Sequence, residues 1–239
     1  AAGAGAKIAK HGNRAASSKC GSADVLEALG VNIGITPEQA QVVFDKAGIV
    51  FMLAPLYHAA LKHVVLVRKE LKVRTIFNIL GPLTNPAGAE RQVLGVFHHS
   101  LTEKLADVLS NLGVRHAFVV HGEDGLDEIT NTARTKISEL KNGIVTTYFI
   151  TPEEFGLERA RKDDLAGGSA QDNAKITIEL LEGRKGPKRD IVLMNSAAAL
   201  IAGDRAKNFP EGIRLAAEAI DSKAALKKLD DIKKISSTL

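Results

Sequence analysis

The chain has 239 residues, 45% of them hydrophobic, with 32 lysines and arginines against 28 aspartates and glutamates and a net charge of +4. That composition can bury one substantial core and excludes wholesale disorder, and no apolar run reaches the roughly 18 to 20 residues that cross a bilayer. A single cysteine, Cys20, excludes an internal disulfide, and the mixed surface charge suits a phosphorylated small molecule as well as it suits nucleic acid.

The first residues, "AAGAGAKIA", lack a methionine and suit a helix end running into a buried strand, so the sequence reads as a fragment of a longer protein. Residues 6–9 form the first predicted strand. Lys10, His11, Asn13 and Arg14 leave it, Ser17, Ser18 and Lys19 follow, and Gly21-Ser22 leads into a helix over about 22–29 that Gly30 stops. The first N–H groups of a helix have no internal partners, and together with the helix dipole, hydroxyls and cations they form an anion site suited to phosphate. The alternative is a plain Ser22 N-cap beneath a solvated basic loop.

"TPEQAQVVFDKAG" predicts the next helix, with Thr36 as N-cap, Pro37 at its first position, Gln39 completing a capping box and Gly48 as its stop. "IVFMLAP" reads as a buried strand and "LYHAALKHVVLVRKELK" as a helix. That helix opens with His58, Lys62 and His63. Arg68 follows His58 by ten residues, about 80° short of three full turns, on a neighbouring face, where a guanidinium suits a carboxylate. "FNILGPLTNPAGAERQ" adds two Gly-Pro or Asn-Pro turns that fit a rigid connection or hinge.

"RQVLGVFHH" is the next predicted strand, and "SLTEKLADVLSNLG" a helix with a Ser100/Glu103 capping box and Gly113 as its stop. "VRHAFVVHG" is again a strand. The loop after it carries Glu123, Asp124, Asp127 and Glu128; such carboxylates repel unless solvated or neutralised, and Mg²⁺, which binds through one or two of them and keeps several waters, suits the loop. A solvated acidic turn is the alternative, and with neither a cysteine nor a paired histidine beside it, zinc is disfavoured. "RTKISEL" and "IVTTYFI" around "KNG" predict an antiparallel hairpin, and four helices complete the chain. The fold class is therefore α/β, a mixed, mostly parallel central sheet flanked by helices, with ligands beyond the carboxyl ends of its strands. No nucleophile elbow, P-loop or dinucleotide signature occurs.

"KHGNRAASSKCGSADVLEALG", "RTIFNILGPLTNPA" and "HGEDGLDEIT", with "GGSAQDNA" near residue 167, resemble the signature segments of the anthranilate phosphoribosyltransferases of tryptophan biosynthesis, in their order and over essentially the whole chain. The resemblance implies a nucleoside phosphorylase/phosphoribosyltransferase-like fold. It also implies Mg²⁺-dependent transfer of phosphoribose from phosphoribosyl pyrophosphate (PRPP) to the amino group of anthranilate. Lys10, His11, Gly12, Asn13, Arg14, Ala15, Ala16, Ser17, Ser18 and Ser22 would then line the PRPP site. Asn13, Arg68, His58, Tyr57, Gly81 and Pro82 would belong to the anthranilate site and its hinge, and Asp127 and Glu128 would hold the metal.

On the same grounds residues 1–239 are an N-terminally truncated catalytic domain, and about 56–80 contribute to a small helical domain otherwise absent. That domain, a "GTGGD" loop and a Ser-Thr segment precede "KHGNR" in the family, which implies that these 239 residues alone are nearly inactive, and that the whole protein is a cytoplasmic homodimer, off the membrane. Two other readings are a pyrimidine nucleoside phosphorylase, which should lack the Asp127-Glu128 pair, and a non-enzymatic nucleic-acid binder. Aromatics at 4% and the absence of tryptophan argue against the second.

Overall fold

The structure, a computed structural model, describes residues 1–14, 20–57 and 77–239. The expectations at Ala15, Ala16, Ser17, Ser18, Lys19, His58, Lys62, His63 and Arg68 lie outside the described residues. The chain divides into two compact units, one of Lys7–Gly88, Gly168–Thr177 and Lys228–Leu239, the other of Ala1–Ala6, Ala89–Gly167 and Ile178–Lys227.

In the first unit β1 (Ile8–Gly12) runs parallel to β2 (Ile49–Leu53), in register from Ile8 opposite Ile49 to Gly12 opposite Leu53. The strand expected over residues 6–9 is thus shifted toward the C-terminus, and Lys10 and His11 are strand residues rather than loop. Pairing with the buried β2 residues Phe51 and Met52 extends the ladder through positions whose polarity suggested a loop. Two short helices are α1 (Ser22–Ala28) and α2 (Pro37–Ala47).

α2 begins as its sequence predicts. The Thr36 hydroxyl accepts the Gln39 N–H at 3.3 Å, the Gln39 side chain accepts the Thr36 N–H at 2.9 Å, and Gly48 ends the helix at φ +72°. A left-handed residue at that place favours glycine. Ala40, Val43 and Ala47 bury the helix against β2. At the chain's end Ser236 holds Asn32, and the Lys228 ammonium donates to the Ala47 carbonyl at 2.6 Å.

Residues Ala54–Tyr57 (α3) and Phe77–Leu83 (α4) are helical. The first of the two expected turns is therefore replaced by helix, with Gly81 and Pro82 in its last turn. Proline removes an N–H and stops the helix just beyond itself, where the Thr84 hydroxyl donates to the Leu80 and Gly81 carbonyls at 3.1 Å. The Asn-Pro turn is present. The Asn85 side chain accepts the Ala87 N–H and donates to the Ala9 carbonyl, both at 3.0 Å, tying the turn to β1.

In the second unit the strand order is β3 (Arg91–Gly95), β4 (His116–Gly122), β5 (Thr135–Lys141) and β6 (Ile144–Ile150). β3 and β4 are parallel, and the other two pairings are antiparallel. The mixed α/β class stands, with strands laddered in two sheets among the described residues. Asn142 and Gly143 close the predicted hairpin at φ +52° and +81°, the twist that a two-residue turn between right-twisted strands requires.

β4 is buried along its whole length beneath α5 (Thr102–Asn111), which contributes Leu105, Ala106 and Leu109 to the core. The start of α5 differs from the Ser100/Glu103 box. A 3₁₀ turn, His99–Leu101, precedes it, and His98 caps that turn by accepting the Ser100 N–H at 3.2 Å. Glu103 pairs instead with Lys136 of β5 at 2.8 Å, a partner far away in sequence, and that bond pulls its carboxyl down to about 2.

The remaining helices are α6 (Ala170–Leu181), α7 (Pro187–Ala202), α8 (Phe209–Asp221) and α9 (Ala224–Ser237). Gly212 lets α8 meet α7: a Cβ there would stand 2.7 Å from that of Ala197. Arg189, only 3% exposed, is held in two bonds by Asp221 at 2.6 and 2.8 Å. Among the described residues no helix is long and apolar enough to cross a membrane.

Candidate active site

The basic stretch begins on β1. Lys10 is exposed at the carboxyl end of the strand, and the neighbouring His11 points to the opposite face, with its Nε2 buried. Gly12 brings strand and helix together: a Cβ there would lie 2.9 Å from the Phe51 ring and 3.2 Å from the Ser22 hydroxyl. That close approach, and not an unusual φ, is why glycine suits the position. Gly21, rather than Ser22, is the N-cap of α1, and its N–H is satisfied by Asp24 at 2.8 Å. Ser22 is therefore released from capping. Its hydroxyl stands at the helix start, beside the end of β1.

Asn13 accepts the Arg14 N–H at 2.8 Å, within an exposed turn. Arg14 itself folds onto α1, where Glu27 takes it in two hydrogen bonds and Asp24 lies 3.6 Å away. The Glu27 bonds raise its guanidinium further above its ordinary value. Its charge is thus shared with two carboxylates, whereas Lys10 is in no ion pair among the described residues.

In the other unit, the four carboxylates of the loop after β4 separate into two pairs. Glu123 is bound to Arg134, which holds its carboxyl below the ordinary range. Asp124 is a fastener within the loop. It accepts the Leu126 N–H at 3.1 Å, the Thr130 hydroxyl at 2.6 Å and the Thr132 hydroxyl. Burial opposes its ionisation, but these bonds outweigh burial and keep the carboxyl below its ordinary value. Asp127 and Glu128 are both exposed on the loop that Asp124 fastens.

Two further contacts hold those adjacent carboxylates, and neither is legible in the motif. Gly95 at the end of β3 lies against the Asp127 main chain, since a Cβ there would stand 1.6 Å from the Asp127 carbonyl oxygen. Asn195 of α7 accepts the Ile129 N–H at 3.0 Å and donates to the Ile129 carbonyl at 2.7 Å. Among the described residues no three histidine, cysteine or carboxylate side chains converge as a complete metal cage. Two exposed carboxylates on a fixed loop fit Mg²⁺ nonetheless, because that ion retains waters and takes its other ligands from substrate phosphates.

The described residues expected at the anthranilate site, Asn13, Tyr57, Gly81 and Pro82, lie in the unit of β1. Tyr57 is half-buried, and its hydroxyl is 3.5 Å from the Thr36 carbonyl, at the outer limit of a hydrogen bond. Burial first, and Glu38 second, push its phenol up. Among the described residues no atom lies within 4 Å of where a Cβ on Gly81 would stand.

The model of the glycosyl transferase family α/β domain matches residues 1–226. The anthranilate phosphoribosyltransferase of Acetivibrio thermocellus is 56% identical over 231 residues, 97% of this chain and 67% of its own length. The chain belongs to the anthranilate phosphoribosyltransferase family. Among solved members, the enzyme of Thermus thermophilus superposes with a TM-score of 0.93 at 43% identity, over 99% of this chain and 70% of its own. The Saccharomyces cerevisiae family member in complex with PRPP and Mg gives a TM-score of 0.90 at 30% identity, over 100% and 68%. The same yeast protein in complex with 4-fluoroanthranilate gives 0.87 at 29%, over 100% and 67%. The chain thus spans about two thirds of the family members that it matches, and it carries their glycosyltransferase class and fold. Neither the nucleoside phosphorylase reading nor the nucleic-acid reading gains support from these relatives.

Proposed function

We propose that the residues described above carry the family's reaction, transfer of phosphoribose from PRPP to the amino group of anthranilate, giving N-(5-phosphoribosyl)anthranilate and pyrophosphate in tryptophan biosynthesis. The observation that carries this reading is the exposed Asp127-Glu128 pair on a loop fastened from three directions, in a chain that superposes on a relative holding PRPP and Mg. Asp127 and Glu128 would hold Mg²⁺. When bound, the ion neutralises the charge that develops on the departing pyrophosphate.

The chain's own groups bind and orient. Lys10, Gly12, Asn13 and Ser22 face the phosphates and ribose at the end of β1, where one exposed ammonium, a hydroxyl and main-chain N–H groups suit oxyanions, and His11, whose side chain lies on the other face of the strand, joins the site through its main chain. Arg14 supports that turn through α1, and Ala15, Ala16, Ser17 and Ser18 complete the stretch. Asn13, Tyr57, His58, Arg68, Gly81 and Pro82 receive anthranilate, whose carboxylate suits the Arg68 guanidinium. An aromatic amine is neutral near pH 7, so it can attack the anomeric carbon without a strong base, which agrees with the lack of a nucleophile motif. Catalysis is then positioning and electrostatics. The same reading takes residues 1–239 as catalytic domain, about 56–80 as part of a small helical domain, and the working protein as a cytoplasmic homodimer.

Competitive binding tests it. The chain should be stabilised against heat by PRPP with Mg²⁺ and then quench added anthranilate fluorescence. Stabilisation by uridine with phosphate, and none by PRPP, would replace this reading with a nucleoside phosphorylase.

A further inference from the structure

We infer that Asn195 is a positioning residue for the metal-holding pair Asp127 and Glu128, acting through the main chain of Ile129. The inference rests on the role proposed for that pair and adds a residue 67 positions from Glu128 that no motif marks. The geometry is a two-point grip. Asn195 Oδ1 accepts the Ile129 N–H at 3.0 Å, while its Nδ2 donates to the Ile129 carbonyl at 2.7 Å and to the Ile191 carbonyl of its own helix at 2.9 Å. Both amide hydrogens are therefore committed.

The Ile129 N–H belongs to the peptide plane that joins it to Glu128. Fixing that plane restrains the Glu128 Cα and ψ at Glu128, and so narrows the directions in which its side chain can leave the chain. The Ile129 carbonyl belongs to the next plane, so one side chain holds two consecutive peptides. Ile129 is fully buried, which anchors the grip from below. α7 has no need of Asn195 for its own seat, because Leu193, Met194, Ala197 and Ala198 bury it. Its amide is spent on the segment next to the exposed carboxylates. Groups that orient metal ligands from behind typically change metal affinity by about 10- to 100-fold.

Mn²⁺, a spectroscopic stand-in for Mg²⁺, reads this directly. Free Mn²⁺ is titrated by electron paramagnetic resonance against the 239-residue chain with PRPP present, for wild type, Asn195→Ala, Asn195→Asp, Asp127→Asn and Leu200→Ala. Leu200 is fully buried on the same helix and makes no side-chain hydrogen bond to the loop, so its truncation serves as the control for destabilisation. The inference expects Asn195→Ala to raise the Mn²⁺ dissociation constant about tenfold, with faster deuterium exchange at the Ile129 amide, and Leu200→Ala to leave the constant unchanged. Asn195→Asp, which keeps the acceptor for the Ile129 N–H but loses the donor, should fall between wild type and alanine, and it serves if the alanine variant does not fold. An unchanged constant in either folded variant, with Asp127→Asn weakened, overturns the role of Asn195 alone. An unchanged constant in Asp127→Asn as well overturns the role of the pair and the inference with it.

Discussion

The Cα of Gly95 and the carbonyl oxygen of Asp127 are in such close approach that a Cβ on residue 95 would stand 1.6 Å from that oxygen. No side chain fits between the end of β3 and the loop. Gly95→Ala should therefore push the Asp127-Glu128 segment outward, with a loss of stability of about 1–3 kcal/mol from overpacking. Urea unfolding measures that loss, and Mn²⁺ titration should show weaker binding in the same variant. A variant as stable as wild type would mean that the loop shifts freely.

Asp124 should matter for order rather than for metal contact. Its carboxylate satisfies the hydroxyl of the fully buried Thr130, the Thr132 hydroxyl and the Leu126 N–H. Asp124→Ala removes the acceptor of the Leu126 N–H and of at least one hydroxyl, since Thr130 and Thr132 can satisfy only one of the two through their mutual contact at 3.2 Å, at a cost of about 1–3 kcal/mol. Exchange of the amides from 126 to 132 should quicken. Protection equal to wild type would contradict the fastening role.

The two cations at the end of β1 should behave differently. Lys10 is exposed, whereas Arg14 is occupied by Glu27 and Asp24. Calorimetric titration of PRPP with Mg²⁺ should show Lys10→Ala weakening affinity by about tenfold, the scale of one charge-assisted hydrogen bond, and Arg14→Ala weakening it less. The reverse order would place Arg14, released from α1, on the phosphates.

Much of this fold is legible in the sequence wherever the deciding contacts are local. Thr36, Gln39 and Gly48 define α2 within 13 residues, and Asn142-Gly143 defines the hairpin by its own φ preferences. The acidic loop after β4 is legible as a crowd of four carboxylates, while the choice of Asp127 and Glu128 among them comes from the family resemblance and not from their spacing. What escapes is set by partners far away in sequence. Lys136 takes Glu103 from its capping box, β2 extends β1 through Lys10 and His11, and Asn195 grips Ile129 across 66 positions. Arg14 illustrates the same limit, since composition gives its charge and only the folded α1 shows which carboxylates share it.

Acid should weaken the α7–α8 contact. The bonds from Arg189 hold the Asp221 carboxyl at about 2, below the roughly 3.9 of an unfolded aspartate. A carboxyl depressed in the folded state contributes stability that is present above the unfolded value and is lost as pH falls toward the folded one. Stability should thus decline between about pH 4 and pH 2, and Asp221→Asn should flatten that decline. Asp221 is half-exposed, so solvent reduces the effect. Urea midpoints measured across that window with equal slopes in both proteins would contradict it.

Asp127 and Glu128 are the residues proposed to bring Mg²⁺ to PRPP. Isothermal titration of PRPP into the chain, with Mg²⁺ and then with chelator, tests that role most directly when repeated on the Asp127→Asn/Glu128→Gln double variant. Binding should need Mg²⁺ in the wild type and be lost in the double variant. Binding of equal strength with and without the metal, or unchanged in the double variant, would contradict it.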